Sequence, residues 1–558
     1  MPGRYVPFKT AVVGAFLIAI TGDLRAEPQR WTTEAVVGSV ISSVEAGSAK
    51  RIDQPFEVTE ATILQIQEAL ASGTVTSSEL VDRYTARIAA YDQDGPLLNA
   101  IRNLSPRASS VARERDLARK NGPGGGPLSG IPVIIKDNIN TNDQPTTAGS
   151  VALAGSIPNE DAFITRQLRA AGAIILAKGN LTEFANYLTA GMPAGYSSLG
   201  DYVYNPYDPR PAPDGRPLLS PGGSSSGPGV AAAASFAAAT IGTETSGSIL
   251  SPASQNSLAG IKPTTGLASR TGIIPIASSQ DTAGPLARTV TDAAILLGAI
   301  TAADPDDPAT QVPDRVVYSD YTPFLDPNAL QGARIGIAFG LNSLGNPAYY
   351  YYQLTLVQRA IIDAAADVMR AQGAEVFFVE IQTAQELAVF NSSVLRYEFK
   401  RDLNAYLSAL PKTAAVHSLA EVIAFNDAYP DQTRFRFGQT LARASEATDL
   451  DAERAQYLAD RATDLRLSRD EIDRVMSANQ LDALLFGANF GAAIGAKAGY
   501  PSVIVPGGYL SSDNSPFGVT FTGRAWSEPR LIGLAYAYEQ ASALRRPPDT
   551  TPPLAGAK

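Results

Sequence analysis

The chain has no cysteine and a single histidine, His417, in 558 residues. Without cysteine there can be no thiol nucleophile, disulfide, zinc ribbon or iron–sulfur cluster. One histidine rules out a multi-histidine metal centre, and any Ser-His-Asp chemistry would have to pass through His417. Basic charge is also short: 45 Lys and Arg stand against 55 Asp and Glu, a net charge of −10. No Lys/Arg cluster supplies the footprint that a phosphate backbone demands, so nucleic acid is not an expected partner. Long apolar runs are missing too. The run Thr10–Ile20 is eleven residues, whereas a membrane-spanning helix needs about 20.

That short run has the marks of an export leader. Arg4 and Lys9 provide a positive start, and Leu24-Arg25-Ala26 places a small residue before Glu27. The expectation is a signal peptide over 1–26, a polar linker over 27–54, and an exported product, periplasmic or secreted, with no membrane segment in its mature form. The alternative is a buried N-terminal helix, but nothing amphipathic in the run suits a globular surface. Hydrophobic residues at 45% and charged residues at 18% fit a folded, water-soluble chain. At roughly 150 residues per domain the length allows three or four domains. No clean linker breaks the chain between Gly130 and Leu544, so a single large domain over 55–545 is predicted. The Pro-rich end, 546–558, is predicted to be disordered.

Periodicity predicts the elements. Ile63, Ile66 and Leu70 with a Gly73 stop read as a helix, and Leu80, Tyr84 and Ile88 as one face of the next. Short continuous apolar runs at 131–135, 172–177, 334–338, 376–379, 484–486 and 503–505 read as buried strands, with helices at 166–171 and 352–372 between some of them. Strands alternating with helices predict an α/β fold with a mixed, mostly parallel central sheet covered by helices. Residues 446–480 read as a charged, helical, solvated excursion. The loop 121–130 (NGPGGGPLSG) fits no dinucleotide pattern and reads as a surface turn.

The most unusual composition lies between Pro221 and Pro252. A Gly/Ser loop (Gly222-Gly223-Ser224-Ser225-Ser226-Gly227) precedes a run of small side chains, Val230–Ala239, read as a helix. A second loop, Gly242-Thr243-Glu244-Thr245-Ser246-Gly247-Ser248, follows. A flexible linker accounts for one such loop, not for two around an Ala-rich element. Loops of this kind can turn consecutive backbone N–H groups toward a developing negative charge. Gly223-x-Ser225-x-Gly227 formally matches the hydrolase nucleophile elbow. That motif needs a strand before the serine, and the five prolines between Pro209 and Pro221 exclude one. His417, in the stretch AAVHSLAEV, reads as a surface helix residue.

These segments resemble the amidase signature family over about residues 57–310, with the signature core at about 125–300. The lysine segment is Ile131-Pro132-Val133-Ile134-Ile135-Lys136-Asp137, the middle loop Gly222-Gly223-Ser224-Ser225, and the third segment ends in Ser248, 24 positions after Ser224. Flanking pieces agree: Lys178-Gly179-Asn180, Asn205-Pro206-Tyr207, Gly260-Ile261-Lys262-Pro263 and Asp281-Thr282-Ala283-Gly284-Pro285. Within the family, residues 242–249 and 273–282 look most like the bacterial peptide amidases.

The resemblance implies a Ser–Ser–Lys triad of Lys136, Ser224 and Ser248. Ser248 would be the nucleophile, Ser224 the relay within a cis peptide, and Lys136 the base. The backbone N–H groups of Thr245, Ser246, Gly247 and Ser248 would form the oxyanion hole. Elementary chemistry agrees: a serine needs a base to take its proton, and a lysine after five apolar residues is desolvated toward neutrality. Two departures stand out. Ser246 replaces a glycine common in the family, and Leu250 and Ser251 occupy places where many members carry an arginine, which favours neutral amides. The implied activity is hydrolysis of linear carboxamides through an acyl-enzyme, with C-terminal amides of peptides favoured and ammonia released. The alternatives are an aryl-acylamidase, a carbamate or ester hydrolase, or, in another class, an amidotransferase A-type subunit. No cofactor and no metal are expected. The implied partner is a small-molecule or peptide amide substrate, and the chain a monomer or homodimer.

Overall fold

In the computed structural model, residues 56–122 and 125–554 are described. The leader and linker expected over 1–54 lie outside the described residues, as does the end of the tail from 555. Twelve strands form one sheet among the described residues. They are β1 (Ile101–Leu104), β2 (Pro132–Lys136), β3 (Ile174–Gly179), β4 (Ala239–Glu244), β5 (Ala259–Lys262) and β6 (Thr282–Ala287), then β7 (Arg334–Leu341), β8 (Pro347–Tyr350), β9 (Glu375–Glu380), β10 (Ala483–Gly487), β11 (Ser502–Tyr509) and β12 (Pro516–Thr522). Their order is β1-β3-β2-β4-β6-β5-β11-β12-β10-β7-β8, with β9 also on β7.

Four ladders are parallel and seven antiparallel. The α/β architecture and the mixed sheet are as the periodicity predicts. Parallel pairing holds within two blocks, β3-β2-β4 and β10-β7-β9, where helical crossovers bring each strand back in the same direction. The strands joining the blocks run antiparallel. β5, β6 and β12 have no apolar run long enough to announce them.

The parallel strands carry continuous apolar runs because both faces are covered. In β2, Val133, Ile134 and Ile135 are all fully buried. The helix Val290–Ile300 packs on β6, Ser226–Ala233 on β4, and Glu528–Ser542 on β11. Thr62 and Thr76 cap the first two helices, Ile63–Ala71 and Ser77–Tyr91, with capping boxes that satisfy otherwise orphaned N–H groups.

Three expectations need correction. The Ala-rich run is not a helix through Ala239: the helix ends at Ala233, and Ala239 opens β4. Small side chains serve both because the helix packs directly on that strand. The tail is ordered through 554. Arg87, 1% exposed, donates Nη2 to the Thr551 carbonyl and Nη1 to that of Pro552. An extended Pro-rich segment has its carbonyls free for such a guanidinium. Finally, residues 446–480 are a packed layer. Leu467, Ile472, Val475 and Met476 are buried, and Asp464 pairs with Lys497.

Candidate active site

β2 lies between β3 and β4, so the side chain at its end emerges among neighbours on both sides. Lys136 is 0% exposed. Its Nζ donates to Ser224 Oγ at 2.8 Å, to Thr243 Oγ1 at 2.9 Å and to the Thr243 carbonyl at 3.3 Å. Burial is the main influence on it and pulls its pKa down to about 7, although the charges of Asp281 and Glu244 oppose the shift. Near neutral pH the amine is therefore substantially uncharged. In that form the short contact with Ser224 can also run the other way, with the hydroxyl donating to nitrogen.

Two other lysines are equally buried, and their partners distinguish them. Lys178, near the end of β3, faces the Asp137 carboxylate at 3.2 Å and donates to Thr146 Oγ1. Lys262, ending β5, donates to the Tyr500 carbonyl at 2.7 Å. Only Lys136, among these three, contacts a serine hydroxyl.

Ser224 sits just before the helix Ser226–Ala233. The Gly223–Ser224 peptide is cis. Gly222 has φ +70° and no space for a Cβ, which would fall 2.5 Å from Pro252 Cα. The Ser224 carbonyl accepts from Thr182 N–H at 3.1 Å. Ser225 is committed elsewhere: its Oγ donates to the Thr243 carbonyl and accepts from Thr243 N–H. Ser226 Oγ donates to the Gly222 carbonyl at 2.7 Å.

Ser248 ends the loop that runs from β4 to the helix Leu250–Gln255, and it is 8% exposed. Its carbonyl accepts from Ser225 N–H at 3.3 Å, which ties the two serine loops together. Glu244 Oε2 accepts both Ile249 N–H, at 2.7 Å, and Leu250 N–H, at 3.1 Å. Thr245 Oγ1 donates to Asp281, whose other carboxylate oxygen takes the N–H groups of Ile276 and Ala277. Gly247 turns the loop at φ +87°, a conformation that a side chain would strain. Among the described residues, the N–H groups of Thr245, Ser246, Gly247 and Ser248 have no protein hydrogen-bond partner. Ser246 is exposed at the loop surface, while Leu250 is buried and Ser251 Oγ accepts from Gly223 N–H at 3.4 Å.

The fold thus places Lys136 on Ser224, and Ser224 in the loop bonded to Ser248. It does not bring His417 to them. His417 lies outside the helix Leu419–Ala428 rather than in it, and its backbone N–H donates to Glu421. Three residues of the neighbourhood were not singled out by sequence: Thr243, Asn138, whose Nδ2 donates to Thr243 Oγ1 at 3.0 Å, and Asp281. All lie within or beside the quoted segments, but nothing in their spacing shows that they converge. Among the described residues no group of three or more His, Cys, Asp or Glu could hold a metal ion.

Comparison with known proteins gives a consistent result. The family model described as Amidase matches residues 79–497. A probable amidase of Arabidopsis thaliana is 38% identical over 519 residues, covering 91% of this chain and 95% of its own. The X-ray structure of the native peptide amidase of Stenotrophomonas maltophilia superposes with a TM-score of 0.81 at 42% identity, covering 89% of this chain and all of that one. The A-type subunit of the glutamyl-tRNA(Gln) amidotransferase of Chloroflexus aurantiacus is 31% identical over 521 residues, covering 87% of this chain and 97% of its own. With the family match spanning most of the chain, this protein belongs to the amidase family and is a hydrolase of amides.

Proposed function

We propose that the chain hydrolyses C-terminal carboxamides of peptides through a Ser248 acyl-enzyme, releasing ammonia. The observation that carries the reading is the 2.8 Å contact between Lys136 Nζ and Ser224 Oγ in a fully buried setting. Ser248 Oγ attacks the carbonyl carbon while its proton passes to Ser224, whose own proton passes to neutral Lys136. The oxyanion is met by the N–H groups of Thr245, Ser246, Gly247 and Ser248, each such donor contributing roughly 3–4 kcal/mol. As the C–N bond breaks, the proton returns along the same path to the leaving nitrogen. Water then repeats the cycle and frees the acid. The 42% identity to a peptide amidase over nearly the whole chain supports this substrate class. The leader at 1–26 and export are proposed with it, and N-terminal sequencing of secreted material tests them.

The likeness to the A-type chain of an amidotransferase favours a second reading, in which the protein serves a partner complex. Ammonia release separates the two. The chain alone should liberate ammonia from peptide amides, more readily than amines from anilides or alcohols from esters, and Ser248→Ala should abolish it without loss of fold. Turnover of glutamine only in the presence of added partner chains would favour the second reading.

A further inference from the structure

β4 and β6 pair antiparallel, and the last residues in register are Glu244 and Thr282. One step further along that register Thr245 and Asp281 stand opposite each other, close enough for their side chains to meet. There the backbone ladder stops and the loop 245–248 begins. The link between the strands continues as a side-chain bond, with Thr245 Oγ1 donating to Asp281 Oδ1 at 2.5 Å. Among the described residues it is the one side-chain hydrogen bond made by 245–248. Ser246 is exposed, Gly247 has no side chain, and the Ser248 hydroxyl is reserved for the substrate.

The opposing side of this bond is itself anchored. Asp281 Oδ2 accepts the N–H groups of Ile276 and Ala277 at 2.8 and 2.9 Å. The next two, of Ser278 and Ser279, donate to Asp402 at 3.0 Å and Glu398 at 2.9 Å. Both of those carboxylates belong to the helix Val394–Ser408, and Tyr457 Oη donates to Glu398 at 2.7 Å. Four successive N–H groups of the wall 276–279 are thus taken up by carboxylates. Across from them, the four N–H groups of Thr245 to Ser248 have no protein partner among the described residues. Such donors carry like partial charges, which attract an anion and repel one another without it. Held in place before reaction, they cost no reorganisation when the negative charge forms.

We infer that Asp281 is a positioning residue, which acts through the Thr245 hydroxyl to keep the N–H groups of the loop aimed at the oxyanion. The inference rests on the Ser248 reading of the reaction and assigns the aim of its donors to one side-chain bond. Asp281 also favours the ammonium form of Lys136 by its charge, so the discriminating substitutions are at Thr245. A displacement of roughly 1 Å at a reacting group can cost about a hundredfold in rate. With a peptide amide as substrate, Thr245→Val should lower kcat about thirtyfold and change KM by less than about threefold. Thr245→Ser keeps the hydroxyl and should hold kcat within about threefold of the wild type. In an Asp281→Ala background, Thr245→Val should cost under about threefold, because its hydroxyl has already lost its partner. The Thr245 pair alone decides if Asp281→Ala does not fold. A valine variant as fast as the wild type would overturn the inference, and so would a serine variant as slow as valine or losses that simply multiply. Failure of the wild type to release ammonia from any peptide amide would overturn the hydrolytic reading itself, a result plainly different from these.

Discussion

Lys136 owes its depressed pKa of about 7 to burial, which penalises the ammonium form more than the charges of Asp281 and Glu244 restore it. The sign for activity follows directly. In the proposed role of base Lys136 must be unprotonated, so kcat/KM should rise with pH through about 7 and level off above it. The sign for stability is separate: the folded pKa lies below the roughly 10.4 of an unfolded lysine. The unfolded chain therefore holds the extra proton between those values, and this residue's contribution to stability increases with pH across that window. Lys136→Ala should lower amide turnover by several orders of magnitude and ester turnover by less, because an amine leaving group needs the returned proton more. His417→Ala should leave the pH–rate profile unchanged. Steady-state profiles on a matched amide and ester pair check all three. A protein that survives Lys136→Ala yet dies with His417→Ala would sink the assignment of the base.

At the scale of an element, the loop after β4 is held from below by one carboxylate. Glu244 Oε2 takes two successive N–H groups, of Ile249 and Leu250, at the entrance of the next helix. Its charge also complements the positive end of that short helix. Removing it leaves two buried donors without a partner and frees the segment that carries Ser248. Glu244→Ala is predicted to reduce kcat about a hundredfold, comparable to losing one oxyanion donor, with KM little altered. Equal loss in KM and kcat, with a fall in fold content, would make Glu244 structural rather than a positioning residue. Gly247 works in the same loop through its backbone, since φ +87° is a region that other residues enter only with strain.

Across the whole molecule, the C-terminal segment closes the structure against its second helix. Arg87 gathers the carbonyls of Ala234 and Ser235, just past the helix Ser226–Ala233, together with those of Thr551 and Pro552. One buried guanidinium thus ties residues about 460 positions apart, as the sequence separations of those bonds show. Deleting residues 547–558 removes two acceptors from that charge, at roughly 1.5–3 kcal/mol for each charged hydrogen bond. The truncated chain should unfold at a clearly lower urea midpoint. In an Arg87→Ala background the same truncation should cost much less, because the two changes act on one interaction. Additive losses would show that the tail stabilises by other contacts.

Much of the site is legible in the residues themselves. The apolar run 131–135 specifies a strand buried on both faces, and a lysine at its end must then be desolvated. The clusters of glycine and serine mark where backbones approach too closely for larger side chains, as Gly222 does against Pro252. The absence of cysteine and the lone histidine remove rival chemistries without any knowledge of the fold. Convergence is a different matter. Lys136, Lys178 and Lys262 each follow apolar residues at or near the end of a strand, and local sequence treats them alike. Only strand order separates them, setting β2 against β4 so that Lys136 meets Thr243 and Ser224, while Lys178 meets Asp137. The same holds for the strands β5, β6 and β12 and for the ordered tail. Their stability comes from partners far along the chain, and contact across such distances leaves no periodic trace in the segment itself.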